Sequence, residues 1–407
     1  MRNRTMSLTA ALLLAASTYA ASVETDRTWY LAGEAMTVSM TADNASIGYA
    51  ELCDMHGLAA GIVISLNGNQ GTGVMELPSD LHSGYYLLSA YTRSDAQVSQ
   101  RLVAIVNPLR KSEDDNIEWV EVTHPDSLSH VPNPTLSQRE WRGNGIRETE
   151  GHIIHARVRN VYDGHTFQGR QIRPSLSVIG KQIRYFEGKM VNDSTATFFT
   201  YGVHGLQPIV LSAVSSSGMS LPVELISPFA TLLPKQLPRL VFHYQRNEVE
   251  ARSIDMQRRR PLPTPNSPLT PSLLYSDTIH GTTPDLSYNL NEYRQFLTVR
   301  EVLREYVSCV TNRKSNGVSR LFVRRELELY NTSLPTLVLI DGMPVIDVER
   351  LLDYDARRVH YINIYGGQYT FGHDIYNGIL SFVTRSGQLT NYPVEHNMQY
   401  LEYKFPE

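Results

Sequence analysis

The chain contains residue types that could do chemistry, but their spacing matches no catalytic pattern. The sequence has no Gly-x-Ser-x-Gly elbow, His-Glu-x-x-His string, phosphate-binding loop or dinucleotide-binding fingerprint. His152 and His155 are metal ligands by type, yet residues three apart on a strand point to opposite faces and cannot share one ion. The sequence therefore predicts no catalytic residues, no metal and no cofactor.

Asp341 is a carboxylate of the kind used in acid–base catalysis, but no other titratable residue lies at a telling spacing from it. Gly342 follows it directly, and Pro344 stands two positions further on. Glycine tolerates a positive φ and proline fixes φ, so these three residues predict a turn. Turn formation is the better account of Asp341.

A looser set of polar residues towards the end of the chain has oxygen and nitrogen atoms that could bind a cation. A solvated loop surface is the alternative, and it is the interpretation that we prefer. The set comprises Asp353, Asp355, His360, His373 and Asp374.

An aromatic stretch interrupted by glycines gives the candidate recognition surface. Aromatic anchors on a flexible backbone are typical of surfaces that bind carbohydrate or protein. The alternative is that these rings line the core and edges of their own domain. The candidate residues are Tyr361, Tyr365, Tyr369, Phe371 and Tyr376.

Composition places the chain among globular proteins. Its 407 residues suggest about two to four domains. Hydrophobic residues make up 42% of the chain and charged residues 19%, which is too apolar for a disordered protein. The net charge of −4 gives no electrostatic footprint for nucleic acid.

The first residues predict a secretory signal peptide. Arg2 and Arg4 form a basic start, residues 8–16 form a short apolar core, and Thr18 and Ala20 precede a cleavage site. The apolar core is too short to span a bilayer, and no cysteine follows the site to carry a lipid. We expect an exported protein of the periplasm or the outer-membrane periphery, with no transmembrane segment after cleavage.

Strand and turn patterns predict a mostly β, multi-domain chain. Short strands recur at intervals of about ten residues in the first two blocks, as in β-sandwiches. Prolines and polar residues separate the blocks as linkers. The predicted boundaries are 1–20 for the signal peptide, 24–108 for the first sandwich, 109–148 for a linker or excursion, 149–243 for the second sandwich, 244–287 for a proline-rich linker, 288–390 for an α+β domain and 391–407 for a tail.

The α+β domain opens with a helix signal. Thr298 and Glu301 form a capping box, and apolar residues then recur at helical spacing as far as Val310. Four strand candidates follow, with a short helix predicted near residues 350–354.

The two cysteines, Cys53 and Cys309, fall in different predicted domains. An exported protein can keep a disulfide. Two free thiols are nevertheless the favoured interpretation, because such residues are often buried without pairing.

The first block resembles the macroglobulin-type β-sandwich (the MG2 class) of exported Bacteroidetes proteins. The resemblance implies an immunoglobulin-like or macroglobulin-like fold. It rests on Asp26, Tyr30, Gly33, Glu34, Ala50, Glu51, Leu52, Gly71, Gly73, Leu77, Pro78, Leu81, Ser83, Gly84, Tyr85, Ala90, Tyr91 and Thr92. The second block is similar by position and strand rhythm to carboxypeptidase-regulatory or macroglobulin-like sandwiches.

The last block resembles the plug domain of TonB-dependent outer-membrane receptors. About twenty residues follow Gly387, fewer than a receptor's barrel of many strands needs, so we expect a free-standing plug-like α+β module. The resemblance rests on Leu337, Val338, Leu339, Ile340, Asp341, Gly342, Met343, Pro344, Val345, Ile362, Asn363, Ile364, Tyr365, Gly372, Asn377, Gly378, Ile379, Leu380, Val383, Thr384, Arg385, Ser386 and Gly387.

Together these resemblances imply a non-enzymatic envelope accessory protein that docks through its plug-like domain. Its partner would be a protein of the cell envelope, an outer-membrane barrel among the candidates, with peripheral membrane association allowed. The alternative is a macroglobulin-like factor that binds proteases without a thioester, since neither cysteine lies in a Cys–Gln thioester motif. Residues 245–287 would then be its protease-sensitive segment.

Overall fold

A computed structural model of the chain describes residues 21–94, 98–123, 147–149, 151–180, 183–259, 278–315, 318–324, 334–372, 374–387, 389 and 391–406. The predicted signal peptide and residues 260–277 of the predicted proline-rich linker lie outside them. The chain divides into two compact units. Unit 1 comprises Met1–Gly61, Leu66–Arg147 and Thr231–Gln245, and unit 2 comprises Ile62–Ser65, Glu148–Ala230 and Arg246–Glu407.

The first sandwich, in unit 1, has one sheet in the order β1-β3-β6 and a second in the order β2-β8-β7-β4-β5. The turn at Asn67-Gly68-Asn69 joins two of these strands, and Gly68 and Asn69 both have the positive φ that tight hairpins need. Its strands are β1 (Ser22–Thr25), β2 (Trp29–Leu31), β3 (Ala35–Thr41), β4 (Ile47–Cys53), β5 (Leu58–Ser65), β6 (Gln70–Glu76), β7 (Gly84–Tyr91) and β8 (Val98–Val106). Strand β9 (Ile117–Glu121) follows outside these two sheets.

Tyrosines fill the core of the first sandwich. Tyr30, Tyr86 and Tyr91 are completely buried, and each hydroxyl has a hydrogen-bond acceptor. Tyr30 donates to Asp26 Oδ1 at 2.6 Å, and Tyr91 donates to Glu51 Oε2 at 3.0 Å. A bonded hydroxyl removes the desolvation cost, so a tyrosine can occupy a core position.

The second sandwich belongs to unit 2. One of its sheets has the order β15-β16-β10-β18, and the other contains β14, β13 and β17. A 3₁₀ turn, Gly169–Gln171, precedes β13. The strands are β10 (His152–Val158), β11 (Val161–Tyr162), β12 (His165–Thr166), β13 (Ile172–Val178), β14 (Arg184–Glu187), β15 (Lys189–Met190), β16 (Thr195–Thr200), β17 (Gly205–Ser215) and β18 (Val223–Ile226).

The chain then returns to unit 1, which the sequence does not predict. Strand β19 (Leu240–Tyr244) pairs in parallel with β9. Strand β9 itself lies within residues 109–148, which the sequence predicts to be a linker or excursion. Glu51 holds the returning segment, because its buried carboxylate accepts from the backbone N of Thr231 at 3.0 Å and of Leu232 at 2.5 Å. Unit 1 is therefore built from two distant stretches of sequence.

Helix α1 (Arg246–Arg259) occupies the start of the predicted proline-rich linker. Its prolines begin only at Pro261, so residues 246–259 contain no residue that breaks a helix. Across the part of the chain that the structure describes, no helix is both long and apolar enough to cross a bilayer.

The α+β module (residues 286–389) has a sheet in the order β20-β25-β26-β23-β24 and a separate hairpin of β21 and β22. Its elements also include 3₁₀ turns at Leu290–Glu292 and Ala356–Arg358. They are β20 (Leu286–Asn289), α2 (Val299–Glu305), β21 (Val310–Ser315), β22 (Val318–Val323), β23 (Leu337–Ile340), β24 (Met343–Pro344), α3 (Val348–Leu352), β25 (Val359–Phe371) and β26 (Asp374–Thr384).

The predicted capping box is present. Thr298 accepts from the backbone N of Glu301 at 3.3 Å, and the Glu301 carboxylate accepts from the backbone N of Thr298 at 3.1 Å. The helix ends at Glu305, however, and Val310 begins a strand instead of extending the helical face. Val307 and Val310 still reach the module's core, and β-branched residues fit a strand better than a helix.

Residues expected to form a tail instead form strand β27 (Gln399–Phe405). It pairs antiparallel with β17, so the second sheet of the second sandwich reads β14-β13-β17-β27. Tyr403 and Phe405 enter the sandwich core. The Tyr403 hydroxyl lies 2.6 Å from Nε2 of buried His152, whose Nδ1 lies 3.3 Å from Glu148 Oε1. His152 thus has a structural role.

The mostly β, multi-domain fold class predicted from the sequence is confirmed. Two β-sandwiches and a smaller α+β module contain most of the described elements.

Candidate functional site

The predicted turn at Asp341 is a buried junction. Asp341 and Gly342 both have a positive φ, at 49° and 96°. The Asp341 carboxylate accepts from the Thr384 backbone N at 2.7 Å, the Thr384 hydroxyl at 2.5 Å and the Leu389 backbone N at 2.7 Å. Burial raises the pKa of this carboxyl. Asp341 therefore holds the end of β26 and residue 389 together.

Gly342 also lets the turn approach the second sandwich. A Cβ at this position would lie 3.0 Å from Ile183 Cγ2 and 3.1 Å from the carbonyl oxygen of Val178. Both the φ and this close approach require glycine. Ile179 and Val210 of the sandwich join the hydrophobic core of the module, so the module packs against part of the sheet that contains β13 and β17.

The five residues of the candidate recognition surface do not form one exposed patch. Tyr365 is 1% exposed and Tyr376 is also buried. Tyr369 and Phe371 are half-buried and pack against the same hydrophobic cluster. Tyr361 is half-buried near the start of β25, where it pairs with Asn289 of β20. Most of these rings are thus placed by packing within the protein.

Their packing partner is strand β14. The Tyr185 ring lies edge-on to Phe371 at 5.3 Å and to Tyr376 at 6.4 Å between centroids, and the Tyr185 and Tyr376 hydroxyl oxygens are 3.5 Å apart. The His280 ring lies 5.6 Å from the Phe371 ring between centroids, tilted by 34°. Burial raises the pKa values of both tyrosines and lowers that of His280. These rings are neutral hydrogen-bonding groups near pH 7.

The tip of the β25–β26 hairpin rests on the sandwich as well. Glu187 Oε2 accepts from the Asp374 backbone N at 2.9 Å, and Gly372, with φ at 60°, leaves room for the Glu187 side chain. The Asp374 carboxylate lies 3.6 Å from the Arg173 guanidinium. The tip therefore ends in an ion pair at the surface.

Beside this ion pair lies a cleft between the sandwich sheet and the α+β module, with a cavity volume of about 240 Å³. Its floor includes Ser175 and Ser212, whose hydroxyl oxygens are 2.6 Å apart. Tyr185, Tyr376 and residues 318–322 of β22 also line it. The cleft combines hydroxyl groups, an ion pair and apolar side chains, and such a mixture of apolar and polar groups is typical of binding sites.

One cleft residue connects to an ion network on the module. Ser319 Oγ donates to Glu349, which also accepts from Arg300 at 2.6 Å. The Ser319 hydrogen bond, followed by that from Arg300, lowers the pKa of Glu349 to about 2. Glu349 is therefore ionised across the physiological pH range, and it fixes the side chain of Ser319.

The sequence did not reveal this cleft. Ser175 and Ser212 are small polar residues on strands, and the signal that could have found them is the alternation Arg173-Pro-Ser175-Leu-Ser177, which puts polar side chains on one face. Nothing local shows that a distant hairpin covers this face. Of the predicted turn, polar and aromatic candidates that the structure describes, Pro344, Asp374 and Tyr376 line the cleft.

The loose polar set does not converge on a cation site. Asp353 is paired with Arg300 at 2.8 Å, Asp355 with Arg357 at 2.8 Å and Asp374 with Arg173. His373 lies outside the described residues. Within the part of the chain that is described, no group of three or more His, Cys, Asp or Glu side chains is placed to hold a metal ion.

No protein-family model matches the sequence, and no curated protein matches it. Solved structures similar to it include the BSP domain of a biofilm-associated protein (12% identity, TM-score 0.18, 53% of this chain and 30% of that chain). They also include Escherichia coli alpha-2-macroglobulin activated by porcine elastase (11%, 0.19, 53% and 20%). A third is the fibronectin(III)-like modules of Clostridium thermocellum CbhA (9%, 0.15, 55% and 95%).

These similarities are partial. The chain spans less than a third of the first two structures that it matches. A bacterial alpha-2-macroglobulin is among them, but TM-scores below 0.2 carry no argument about the fold or the activity of this chain. The resemblance to receptor plugs stays a prediction.

Proposed function

We propose that this chain is a non-enzymatic binding protein of a bacterial cell envelope, and that it docks onto a protein partner through its α+β module. The observation that carries the proposal is the cleft between the module and the second sandwich. It brings together hydroxyls, an ion pair and apolar side chains at a surface where two chain segments distant in sequence meet.

The chemistry around the cleft supports binding rather than turnover. Its tyrosine pKa values are raised by burial, whereas an activated base or nucleophile would have a pKa moved towards neutrality. The hydroxyls of Ser175 and Ser212 bond to each other and, among the described residues, neither bonds to a histidine. A hydroxyl pair of this kind can donate and accept but has no base to activate it.

The decisive test is site-specific crosslinking in the cells that produce the protein. A photo-crosslinking amino acid would replace Val318, a cleft residue that is 51% exposed. Val191 is the matched control, since it is also a valine of unit 2, is 66% exposed and does not line the cleft. Mass spectrometry of the adducts would identify the proteins in reach of each position.

We expect an envelope protein among the adducts of position 318 and not among those of position 191. Identical adducts from both positions, or no protein adduct at position 318, would contradict the proposal. A chain ending before Tyr288 is not a suitable comparison, because it would lack β27 and leave the second sandwich incomplete.

The protease-binding alternative predicts a different outcome. Limited proteolysis within residues 245–287 would then change what the protein binds. Cleavage there without any change in the adducts at position 318 would favour the docking function.

A further inference from the structure

Strand β22 has one edge that its partner strand does not cover. The backbone N of Arg324 donates to the carbonyl oxygen of Cys309 at 2.7 Å. In this antiparallel register, Val310 pairs with Val323 and Asn312 pairs with Leu321. Hydrogen-bonded and non-hydrogen-bonded pairs alternate, so the N–H and C=O groups of Ser319 and Leu321 point away from β21.

This edge faces the cleft. At the Val323 end, Thr336 connects β22 to β26. The Val323 backbone N donates to Thr336 Oγ1 at 3.1 Å, and Thr336 Oγ1 donates to the carbonyl oxygen of Asn377 at 2.8 Å, so the gap between the two strands is closed there. Towards Ser319 the gap opens, and both Ser319 and Leu321 line the cavity. Among the described strands, this sheet contains only β21 and β22.

The charge at the cleft is unbalanced. The opposite charges of Arg173 and Asp374 lie 3.6 Å apart and offset each other. Arg320 is exposed at the rim and, among the described residues, has no acidic partner within 4 Å, whereas Lys314 on the neighbouring strand pairs with Glu349 at 3.4 Å. One positive charge therefore remains for a ligand.

We propose that the cleft binds an extended segment of a protein partner, which adds as a strand to the Ser319–Leu321 edge of β22 and places an acidic side chain on Arg320. The proposal rests on the docking function above and names its recognition mode. A strand edge supplies backbone hydrogen bonds, and a flanking charge supplies selectivity. The cavity of about 240 Å³ is smaller than the roughly 300–1,000 Å³ of typical small-molecule pockets, which disfavours a drug-sized ligand.

A phage-displayed library of random twelve-residue peptides tests this inference. The library is panned on the full chain and counter-selected on the Arg320→Glu variant. Enriched peptides are synthesised and titrated by fluorescence anisotropy. Arg170→Glu is the matched control, because Arg170 is an exposed arginine of unit 2 that does not line the cleft.

We expect enriched peptides to carry Asp or Glu, and Arg320→Glu to weaken their binding at least about tenfold, since attraction is replaced by repulsion. Arg170→Glu should leave the affinity within about twofold. Changing the acidic residue of the peptide to Lys should restore binding to Arg320→Glu. Equal binding to all three proteins, or no enrichment, overturns the inference.

Strand addition has its own readout. N-methylation of the peptide amides that face β22 should abolish binding, while methylation at the alternate positions should preserve it, because alternate amides point to opposite edges. Tolerance of both patterns rules out strand pairing. If position 318 still crosslinks an envelope protein while these peptide tests fail, the docking function stands and only the recognition mode is wrong.

Discussion

The two sandwiches are assembled from the sequence in different ways. The two sheets of the first use strands that lie between Ser22 and Val106, a nearly continuous stretch. The second takes its last strand from far away, since 173 positions separate Ile226 at the end of β18 from Gln399 at the start of β27. The whole α+β module lies between them. The second sandwich therefore cannot be cut from the module without losing part of its own core.

Buried carboxylates secure distant segments in both units. Glu51 in the first unit holds residues 231–232, and Asp341 in the second holds Thr384 and Leu389. Each carboxylate accepts three or more hydrogen bonds, which offsets the cost of burying it. The comparison predicts that the two units lose stability independently and through different residues.

Deleting residues 399–407 should have the largest effect and should fall on one unit alone. Loss of Tyr403 and Phe405 removes two core aromatic side chains, each worth about 3–5 kcal/mol, against a typical domain stability of about 5–15 kcal/mol. Calorimetry should show the transition of unit 2 lost and that of unit 1 retained. Tyr400→Ala, at an exposed position on the same strand, is the control and should keep both transitions.

Asp341→Ala should destabilise unit 2 by about 3–5 kcal/mol, because it leaves two backbone N–H groups and a hydroxyl without their acceptor. Urea unfolding followed by a probe in each unit would measure this. Asp341→Asn retains one acceptor oxygen and should cost less. An equal loss in unit 1 would contradict the independence of the two units.

The pH dependence of stability should separate Asp341 from ordinary carboxylates. Burial raises its pKa in the folded state, so between the unfolded and folded pKa values the folded state binds more protons. The stability of wild type relative to Asp341→Asn should therefore fall as pH rises through this window. Urea midpoints measured at several pH values would test the slope. A rising difference would mean that the three hydrogen bonds outweigh burial.

The smallest perturbation uses the natural cysteines, one in each unit. Both thiols are free, and burial raises the pKa of Cys53 to about 12. Cys309 is only half-buried. Iodoacetamide alkylates the thiolate form of cysteine, so at pH 8 it should modify Cys309 at least about tenfold faster than Cys53. Similar rates would contradict this expectation, because they would mean that unit 1 unfolds locally often enough to make Cys53 as accessible as Cys309.

Sequence patterns predicted those features that depend on neighbouring residues. The capping box at Thr298 and the turn at Asp341 are local, and both are present. Strand β27 was missed, although its alternating residues 400–405 carry a strand signal, because it follows a segment that looked like the end of a domain. The cleft was missed for a different reason. It depends on contact between Tyr376 and Tyr185, which are 191 positions apart in the sequence, and no local pattern predicts such a long-range contact.

The late position of β27 also sets a timetable for folding during synthesis. At about 5–20 residues per second, the 173 positions between β18 and β27 take roughly 10–35 s to make. Throughout that interval β17 presents an uncovered edge and the sandwich lacks Tyr403 and Phe405. A nascent chain in this state is a natural substrate for chaperones and for proteases that remove incomplete chains. Because β27 supplies the missing edge strand and both aromatic side chains, we expect the second unit to resist proteolysis only after these seven residues have joined the sandwich.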